Sequence, residues 1–421
     1  MPAAPPPAEL LRFATCGSVD DGKSTLIGRL LYDSKSVLAD QMAHVEEVSE
    51  RRGAAAPDLA LLTDGLRAER EQGITIDVAY RAFATPRRRF IIADCPGHVQ
   101  YTRNMVTGSS TADLSLVLVD ARYGVVDQTR RHAAIAALLR VPHLAVGINK
   151  MDLVDWDEGV FERTASAMRD VATRLGLADV TCIPISALAG DNVVERSAAM
   201  PWYEGPTLLH HLEHVPLAPR GAAAEARFPV QWVIRPREAG RAEERTYAGQ
   251  VAGGELAAGD EVVVLPAGHA TRIAAIETFD GPREHAAAPD AVALRLADDL
   301  DVARGDLICR PGHPATVTRE LEATVCWMAD APLRAGGRYA IKHTTRTVRA
   351  AVDAVASRLD VQTLDHDEAA AELHLNDIGR VRLRTSAPLA VDPYARNRAT
   401  GAFILIDEAT NDTVGAGMIA G

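Results

Sequence analysis

The chain of 421 residues is poor in cysteine, in aromatic side chains and in long apolar runs. Its five cysteines include no C-x-x-C pair, which argues against a disulfide framework or a zinc ribbon and favours a reducing compartment. No apolar run approaches the roughly 18 residues of a membrane-spanning helix, and the first residues lack the cationic start and apolar core of a signal peptide. We therefore expect a soluble protein of the cytoplasm, with a disordered tail over residues 1–10.

Basic side chains are too few to suggest a general affinity for nucleic acid. Lysine and arginine number 45 against 57 acidic residues, and the formal net charge is −12 at pH 7. Such a surface repels nucleic acid and anionic membranes on average. The hydrophobic content of 47% is nevertheless enough for real cores. At about 150 residues per domain, the length predicts about two to four domains.

The first half of the chain alternates apolar, strand-like runs with helical segments. Four of these runs end in a polar residue, namely Asp94, Asp120, Asn149 and Ser186. Continuous apolar strands alternating with helices predict a mostly parallel sheet with helices on both faces. In such sheets the ligands bind at the carboxyl ends of the strands, where these polar residues stand.

The composition changes around residues 216–221, where proline, glycine and alanine crowd together. Short alternating runs separated by turn residues follow, a pattern that is typical of small β-barrels. A second break lies at residues 310–314. We therefore expect an α/β domain over 11–218, a first barrel over 219–313 and a second barrel over 314–421.

The most informative stretch is a glycine-rich loop between a predicted strand and a predicted helix. Gly17 and Gly22 let the backbone curl so that successive N–H groups point at one anion at a helix N-terminus. Lys23 is then placed to reach the β- and γ-phosphates, and the Ser24 hydroxyl to ligate Mg²⁺. The loop as a whole predicts a phosphate-binding P-loop, with the residues Gly17, Ser18, Val19, Asp20, Asp21, Gly22, Lys23 and Ser24.

Three later motifs, each at a strand end, predict which nucleotide this loop holds. Asp94 is placed to hold the Mg²⁺ shell and the Gly97 N–H to touch a γ-phosphate. Asp152 can accept hydrogen bonds from N1–H and the 2-amino group of guanine, which adenine lacks, while Asn149 and Lys150 frame the base. The motifs are Asp94-Cys95-Pro96-Gly97, Asn149-Lys150-Met151-Asp152 and, closing over the base, Ser186-Ala187-Leu188.

With these motifs in order, the segment from Leu11 to about Leu217 resembles the G domain of translational-type GTPases. The resemblance implies that Thr75, in switch I (about 33–77), meets Mg²⁺ and the γ-phosphate. It also implies that His98 orients the attacking water and that Val19 and Ile74 gate this histidine. The fold class that we predict is an α/β P-loop GTPase domain followed by two small β-barrel domains.

The P-loop departs from the usual elongation-factor sequence at Asp21, where those factors carry histidine. Because a carboxylate beside phosphates is unfavourable, we expect the Asp21 side chain to point away from them. Asp20 is also a candidate ligand for a monovalent cation.

Two functions from different classes remain open at this point. In one, the chain is an elongation-factor-like GTPase that delivers aminoacyl-tRNA to the ribosome. In the other, it couples GTP hydrolysis to the work of a metabolic enzyme. Segments of the second half decide between them, because 227–231, 279–281, 325–328, 397–407 and 413–419 resemble the large GTPase subunit of bacterial sulfate adenylyltransferase.

The resemblance to this subunit implies that GTP hydrolysis drives the conversion of ATP and sulfate to adenosine 5′-phosphosulfate and pyrophosphate. The adenylyl transfer itself would take place on a separate small catalytic subunit, the expected protein partner in a heterodimer or larger assembly. The chain contains one P-loop and one base-specificity motif, and the binding of GTP accounts for both. This agrees with adenylyl transfer on a separate subunit. Some relatives carry a fused adenylylsulfate kinase, an activity that we do not expect in residues 1–421.

Three other features of the sequence are more typical of structure than of function. His210 and His214 have the spacing of a zinc pair on a helix, but a solvated helix face explains them better. Cys16 and Cys95 end neighbouring strands, where small buried side chains are more common than a redox switch. The basic segment 342–346 is more typical of a solvated hairpin than of a docking site.

Overall fold

The computed structural model describes residues 9–37, 39–51, 57–62, 75, 77–98, 101–217, 225–235 and 245–421. Most of the expected N-terminal tail and parts of switch I, including residues 63–74 and therefore Ile74, lie outside the described residues. The chain divides into two compact units, Met1–Leu217 with Asp360–Asp365, and Ala218–Leu359 with His366–Gly421. Among the described residues, no helix has the length and the apolar content that crossing a bilayer requires.

The first unit is built on one mixed sheet with helices between its strands. Its described strands are β1 (Leu10–Cys16), β2 (Ala79–Ala84), β3 (Arg89–Asp94), β4 (Leu114–Asp120), β5 (His143–Asn149) and β6 (Val180–Pro184). Its described α-helices are α1 (Lys23–Asp33), α2 (Ala39–Arg51), α3 (Thr102–Ser109), α4 (Asp127–Leu138), α5 (Glu158–Arg174) and α6 (Leu208–His214). Short 3₁₀ turns form at Leu59–Leu62 and Met151–Val154.

The strand order of this sheet, β2-β3-β1-β4-β5-β6, brings the sequence motifs to one edge. β2 is antiparallel to β3, and the other neighbours are parallel. Strand β4 is buried along its whole length, as its continuous apolar sequence predicts. In the register of the sheet, Thr15 pairs with Asp94 and Asp120 pairs with Asn149. The loops that follow β1, β3, β4 and β5 therefore start side by side.

The second unit consists of β-strands that form two closed barrels. The strands of the first barrel and its rim are β7 (Arg227–Ile234), β8 (Thr246–Gln250), β9 (Glu255–Ala257), β10 (Glu261–Leu265), β11 (His269–Thr278), β12 (Gly281–Arg283), β13 (His285–Ala287), β14 (Ala291–Leu296) and β15 (Leu307–Cys309). Those of the second are β16 (Thr316–Trp327), β17 (Leu333–Arg334), β18 (Arg338–His343), β19 (Arg346–Leu359), β20 (His366–Asp367), β21 (Glu372–Leu373), β22 (Ile378–Val391), β23 (Ala402–Ile406) and β24 (Thr413–Ile419).

Each barrel closes because its first and last strands pair. The first runs in the order β10-β15-β7-β8-β14-β11 and closes through β10 and β11. The second runs in the order β18-β23-β24-β16-β22-β19 and closes through β18 and β19. Each encloses its own apolar core, with Phe228 and Tyr247 in the first and Trp327 and Phe403 in the second. The predicted fold class, an α/β GTPase domain followed by two small barrels, is confirmed.

Buried polar contacts join the two barrels within the second unit. Arg227 of β7 donates two hydrogen bonds of 2.8 Å to the Asp392 carboxylate, which also accepts one from the Thr400 hydroxyl at 2.6 Å. The basic segment 342–346 forms the turn between β18 and β19. Its Thr345 hydroxyl donates to the Val230 carbonyl at 2.8 Å. The expectation of a solvated hairpin is wrong here, because this turn packs on the first barrel.

Candidate functional site

The loop after β1 has the backbone geometry that a phosphate cradle requires. Gly22 has a φ of +89°, in the left-handed region, and precedes the first turn of α1. A Cβ atom on Gly22 would lie 2.5 Å from Nδ2 of Asn149, and one on Gly97 would lie 2.2 Å from the carbonyl oxygen of Gly17. Glycine is therefore required at both positions. The α1 N-terminus has no side-chain cap, so its first N–H groups can bind an anion.

Lys23 brings together the two residues predicted to meet Mg²⁺ from outside the P-loop. Its ammonium group donates hydrogen bonds to the Asp94 carboxylate and, at 2.7 Å, to the Thr75 hydroxyl. The Lys23 and Asp94 side chains are both buried, with 8% and 2% of their surface exposed. Ser24 stands next to Lys23 in the first turn of α1. The three candidate ligands Ser24, Thr75 and Asp94 supply only oxygen atoms, which is the donor type that Mg²⁺ prefers.

Asn149 and Lys150 bind the P-loop itself, a role that the sequence interpretation did not include. The Asn149 amide donates to the Asp21 carbonyl at 2.7 Å and accepts from the Ala187 N–H at 2.9 Å. The Lys150 ammonium donates to the Asp20 carbonyl and forms an ion pair of 2.9 Å with Asp120. The P-loop, the loop after β5 and the loop after β6 are thus joined by side chains.

Asp120 is a site residue that sequence reasoning missed. Burial alone would raise the pKa of Asp120, but hydrogen bonds from Arg122 and Lys150 outweigh it and lower the pKa to about 2. Asp120 is therefore ionised and holds Lys150 against the P-loop. The available signal was its place at the polar end of an apolar strand.

Asp21 is buried, with 7% of its surface exposed. Its carboxylate accepts a hydrogen bond of 2.6 Å from the Ser18 N–H, within the loop. Burial raises the pKa of Asp21 to about 7, and the charge of Asp120 adds to the rise, while the Ser18 bond and Lys150 oppose it. That the side chain points away from bound phosphates stays a prediction.

The other residues of the two motifs that we predict to bind the base lie in two loops at the same edge. Met151 is fully buried and begins a 3₁₀ turn that also contains the half-buried Asp152. Ser186 and Ala187 are buried, whereas the Leu188 side chain is 70% exposed. Arg29 of α1 donates hydrogen bonds to the carbonyl oxygens of Ala187 and Leu188 and so fixes this second loop.

The loop after β3 contains the four residues predicted to contact the nucleotide from that side. Cys95, Pro96 and Gly97 are buried, and His98 is half-buried with its ring tilted against Tyr101 at a centroid distance of 6.1 Å. Val19 of the predicted gate is exposed by 42%. The roles of His98 and Thr75 in catalysis stay predictions.

The cysteine pair and the histidine pair, both interpreted from the sequence as structural, have surroundings that agree with this interpretation. Cys16 and Cys95 are fully buried, and a hydrogen bond with the Cys16 thiol, together with burial, raises the pKa of the Cys95 thiol. A buried thiol with a raised pKa, such as that of Cys95, is a poor nucleophile. The rings of His210 and His214 stack at 4.0 Å, and among the described residues no three or more histidine, cysteine, aspartate or glutamate side chains form a group that could hold a metal ion.

Comparisons with known proteins identify the family. Residues 8–217 match the family model of the elongation factor Tu GTP binding domain, and residues 320–420 match that of the GTP-eEF1A C-terminal domain-like family. Sulfate adenylyltransferase subunit 1 of Laribacter hongkongensis is 51% identical over 414 residues, which cover 98% of this chain and 85% of that protein. The chain belongs to the sulfate adenylyltransferase subunit 1 family. The predicted resemblance is thereby confirmed, and the translation-factor alternative has less support.

Bifunctional members of this family are also similar to the chain. The bifunctional enzyme CysN/CysC of Mycobacterium tuberculosis is 60% identical over 411 residues, which cover 97% of this chain and 67% of that enzyme. Among solved structures, sup35 complexed with GDP aligns over 98% of this chain at 23% identity, with a TM-score of 0.44.

Proposed function

We propose that the chain binds GTP with Mg²⁺ and hydrolyses GTP as the energy-coupling subunit of sulfate adenylyltransferase, in sulfate assimilation. Adenylyl transfer from ATP to sulfate takes place on a small catalytic subunit that binds this chain in a heterodimer or a larger assembly. Membership of the sulfate adenylyltransferase subunit 1 family supports this function. Location in the cytoplasm stays a prediction from the sequence.

The observation that carries the proposal is the convergence of Lys23, Thr75 and Asp94 beside the glycine-rich loop. Each comes from a different element, and together they provide one ammonium group, one hydroxyl and one carboxylate. That set suits a triphosphate with its metal ion. Mg²⁺ held by Ser24, Thr75 and Asp94, directly or through water, would neutralise charge on the β- and γ-phosphate oxygens.

The residues of the chain itself divide the remaining work of hydrolysis. Lys23 binds the β- and γ-phosphates, and the N–H groups from Asp20 to Ser24 surround the anion. The Gly97 N–H contacts the γ-phosphate, and His98 orients the attacking water. Hydrolysis of this kind depends on positioning and charge stabilisation, so a histidine that must first move inward keeps the resting rate low.

Specificity for guanine rests on the loops after β5 and β6. The Asp152 carboxylate accepts hydrogen bonds from N1–H and the 2-amino group of guanine, and Ser186, Ala187 and Leu188 close over the base. Adenine would leave this carboxylate without partners, at a cost of about 1–3 kcal/mol. Asn149 contributes indirectly, because its amide joins the loop of Ala187 to the P-loop.

The division of labour can be tested with purified proteins. We expect the chain alone to hydrolyse GTP slowly and to form no adenosine 5′-phosphosulfate from ATP and sulfate. Addition of the small subunit of sulfate adenylyltransferase from the same organism should give product formation that depends on GTP. Robust formation of adenosine 5′-phosphosulfate by this chain alone would contradict the proposal, and so would a product yield that does not depend on GTP.

A further inference from the structure

A side chain of α4 holds the carbonyl group of Gly97, in the loop that follows β3. The Gln128 amide nitrogen donates a hydrogen bond of 3.0 Å to this carbonyl oxygen. Gln128 lies in the first turn of α4, 31 positions further along the chain. The carbonyl of Gly97 belongs to the peptide group whose N–H is that of His98. A bond to this oxygen therefore fixes the backbone on which His98 stands.

The second hydrogen of the Gln128 amide is directed at His132, one helical turn further along α4. The distance from Nε2 of Gln128 to Nε2 of His132 is 3.0 Å. Because the amide nitrogen is only a donor, Nε2 of His132 must be the acceptor, and the proton of the ring must be on Nδ1. The reverse orientation of the amide would place its oxygen against the Gly97 carbonyl, where two acceptors repel each other.

His132 is suited to be a permanent acceptor. The side chain is fully buried. Burial, with the positive charges of Arg131 and Lys23, lowers the pKa of His132 to about 3, so the ring is neutral at physiological pH. Its Nδ1 atom has no hydrogen-bond partner in the part of the chain that the structure describes. Burial of a polar atom without a hydrogen-bond partner lowers the stability of the fold. Such an atom in a native structure therefore calls for an explanation.

Gly97 needs an external support of this kind. Glycine is the residue with the fewest backbone restrictions, yet the close approach to the Gly17 carbonyl excludes every other residue at position 97. The steric freedom of its backbone must therefore be removed by contacts with neighbours. We propose that Gln128, oriented by His132, is a positioning residue that holds the Gly97–His98 peptide in the conformation that GTP hydrolysis requires.

The inference rests on the proposed GTPase function. If Gln128 positions the Gly97–His98 peptide, its loss should affect the binding of GTP and the binding of GDP differently. The Gly97 N–H and His98 act on the γ-phosphate and the attacking water, which are absent in the GDP complex. The contacts that hold GDP come from the P-loop and from the loops of Asp152 and Ala187. Loss of Gln128 should therefore reduce hydrolysis and the affinity for GTP relative to GDP, with little effect on GDP itself.

The test uses the full chain and the variants Gln128→Leu and Gln250→Leu. Gln250 is a matched control, because its amide donates a similar bond of 2.9 Å to the Pro289 carbonyl in the first barrel. We expect Gln128→Leu to slow single-turnover GTP hydrolysis by about tenfold to hundredfold, with the dissociation constant for GDP within about twofold of wild type. Gln250→Leu should hydrolyse GTP at the wild-type rate.

A second comparison tests whether Gln128 and His132 act as a unit. His132→Phe keeps a planar ring at this position and removes the acceptor, so we expect a smaller loss of hydrolysis than in Gln128→Leu. The double variant should be no slower than Gln128→Leu alone, because the two residues act through one bond. Fully additive losses would contradict the coupling between them.

Two results would overturn the positioning role. One is an unchanged hydrolysis rate in Gln128→Leu, and the other is an equal loss of affinity for GDP and GTP, which would indicate general damage to the site. A wild-type chain that binds GDP and GTP but hydrolyses no GTP would instead overturn the proposed function, and the positioning role with it.

Discussion

The Asn149 amide donates a hydrogen bond of 2.7 Å to the carbonyl oxygen of Asp21 and thereby joins the loop after β5 to the P-loop. The same side chain accepts a hydrogen bond from the Ala187 N–H in the loop after β6. Three loops from three strand ends thus depend on one buried amide. The loops that we predict to bind the base and the phosphates are coupled through it.

Removal of this amide should weaken the binding of every guanine nucleotide. In Asn149→Ala, the Asp21 carbonyl and the Ala187 N–H lose their partners, each at a cost of about 1–3 kcal/mol. We expect the affinities for GDP and GTP to fall together, by at least about tenfold. Isothermal titration calorimetry with both nucleotides measures this effect. Unchanged affinities would show that the loops do not depend on Asn149.

Asp152→Asn should change the base that the site prefers. An amide at this position can donate to the 2-oxo group of xanthine, whereas it cannot accept both hydrogen bonds from guanine. We expect affinity to shift from GTP toward xanthosine triphosphate. Competition between the two nucleotides on one protein sample measures this shift.

Asp155→Asn is the matched control for this variant, because Asp155 is exposed and has a φ of +53° that asparagine tolerates. It should keep the preference for GTP. If Asp152→Asn keeps the wild-type preference as well, the assignment of Asp152 to the base is wrong.

His98→Ala should separate binding from hydrolysis. The imidazole is proposed to orient water, so its loss leaves the contacts with the nucleotide in place and removes a catalytic group. We expect GTP affinity within about twofold of wild type and a rate of hydrolysis lower by about 10²-fold or more. Single-turnover phosphate release measures the rate, with His269→Ala in the first barrel as the control. Near-normal turnover in His98→Ala would exclude the proposed role.

The buried carboxyl of Asp21 should make stability depend on pH. Burial raises the pKa of Asp21 from its ordinary value of 3.8 to about 7, so between these two pH values the folded state binds a proton that the unfolded state releases. The contribution of the Asp21 carboxyl to the free energy of unfolding is fully present below about pH 4 and is lost as the pH rises to about 7. Asp21→Asn keeps an acceptor for the Ser18 N–H and removes the titration.

The free energies of unfolding of the wild type and of Asp21→Asn are therefore compared at each pH from 4.5 to 7.5. We expect the free energy of unfolding of Asp21→Asn, relative to wild type, to increase with pH over this range and to level off above about pH 7. Urea unfolding at each pH gives the difference directly. A difference that does not change with pH would show that Asp21 is ionised throughout.

The elements of the site that could be predicted from the sequence are those set by local spacing. The glycines of the P-loop lie between β1 and α1, and Lys23 begins α1. The strand order then brings Asp94 and Asn149 to the same edge. The two barrels were also predictable, because alternating apolar residues and regular turn signals directly follow from the geometry of β-strands.

Contacts between side chains distant in sequence could not be predicted in this way. The bond between Gln128 and Gly97 and the ion pair between Lys150 and Asp120 depend on how separate strand ends meet in space. The hairpin at Thr345 was expected to be solvated because its charges were visible in the sequence. The hydrogen bond from Thr345 to Val230 in the other barrel could not be seen in the sequence.

The binding of guanine by the Asp152 loop can be measured by calorimetric titration of the purified chain with GTP and with ATP, in the presence of Mg²⁺. We expect one guanine nucleotide to bind per chain, with an affinity at least tens of times higher than that for ATP, because only guanine satisfies Asp152. Equal affinities, or a preference for ATP, would contradict it.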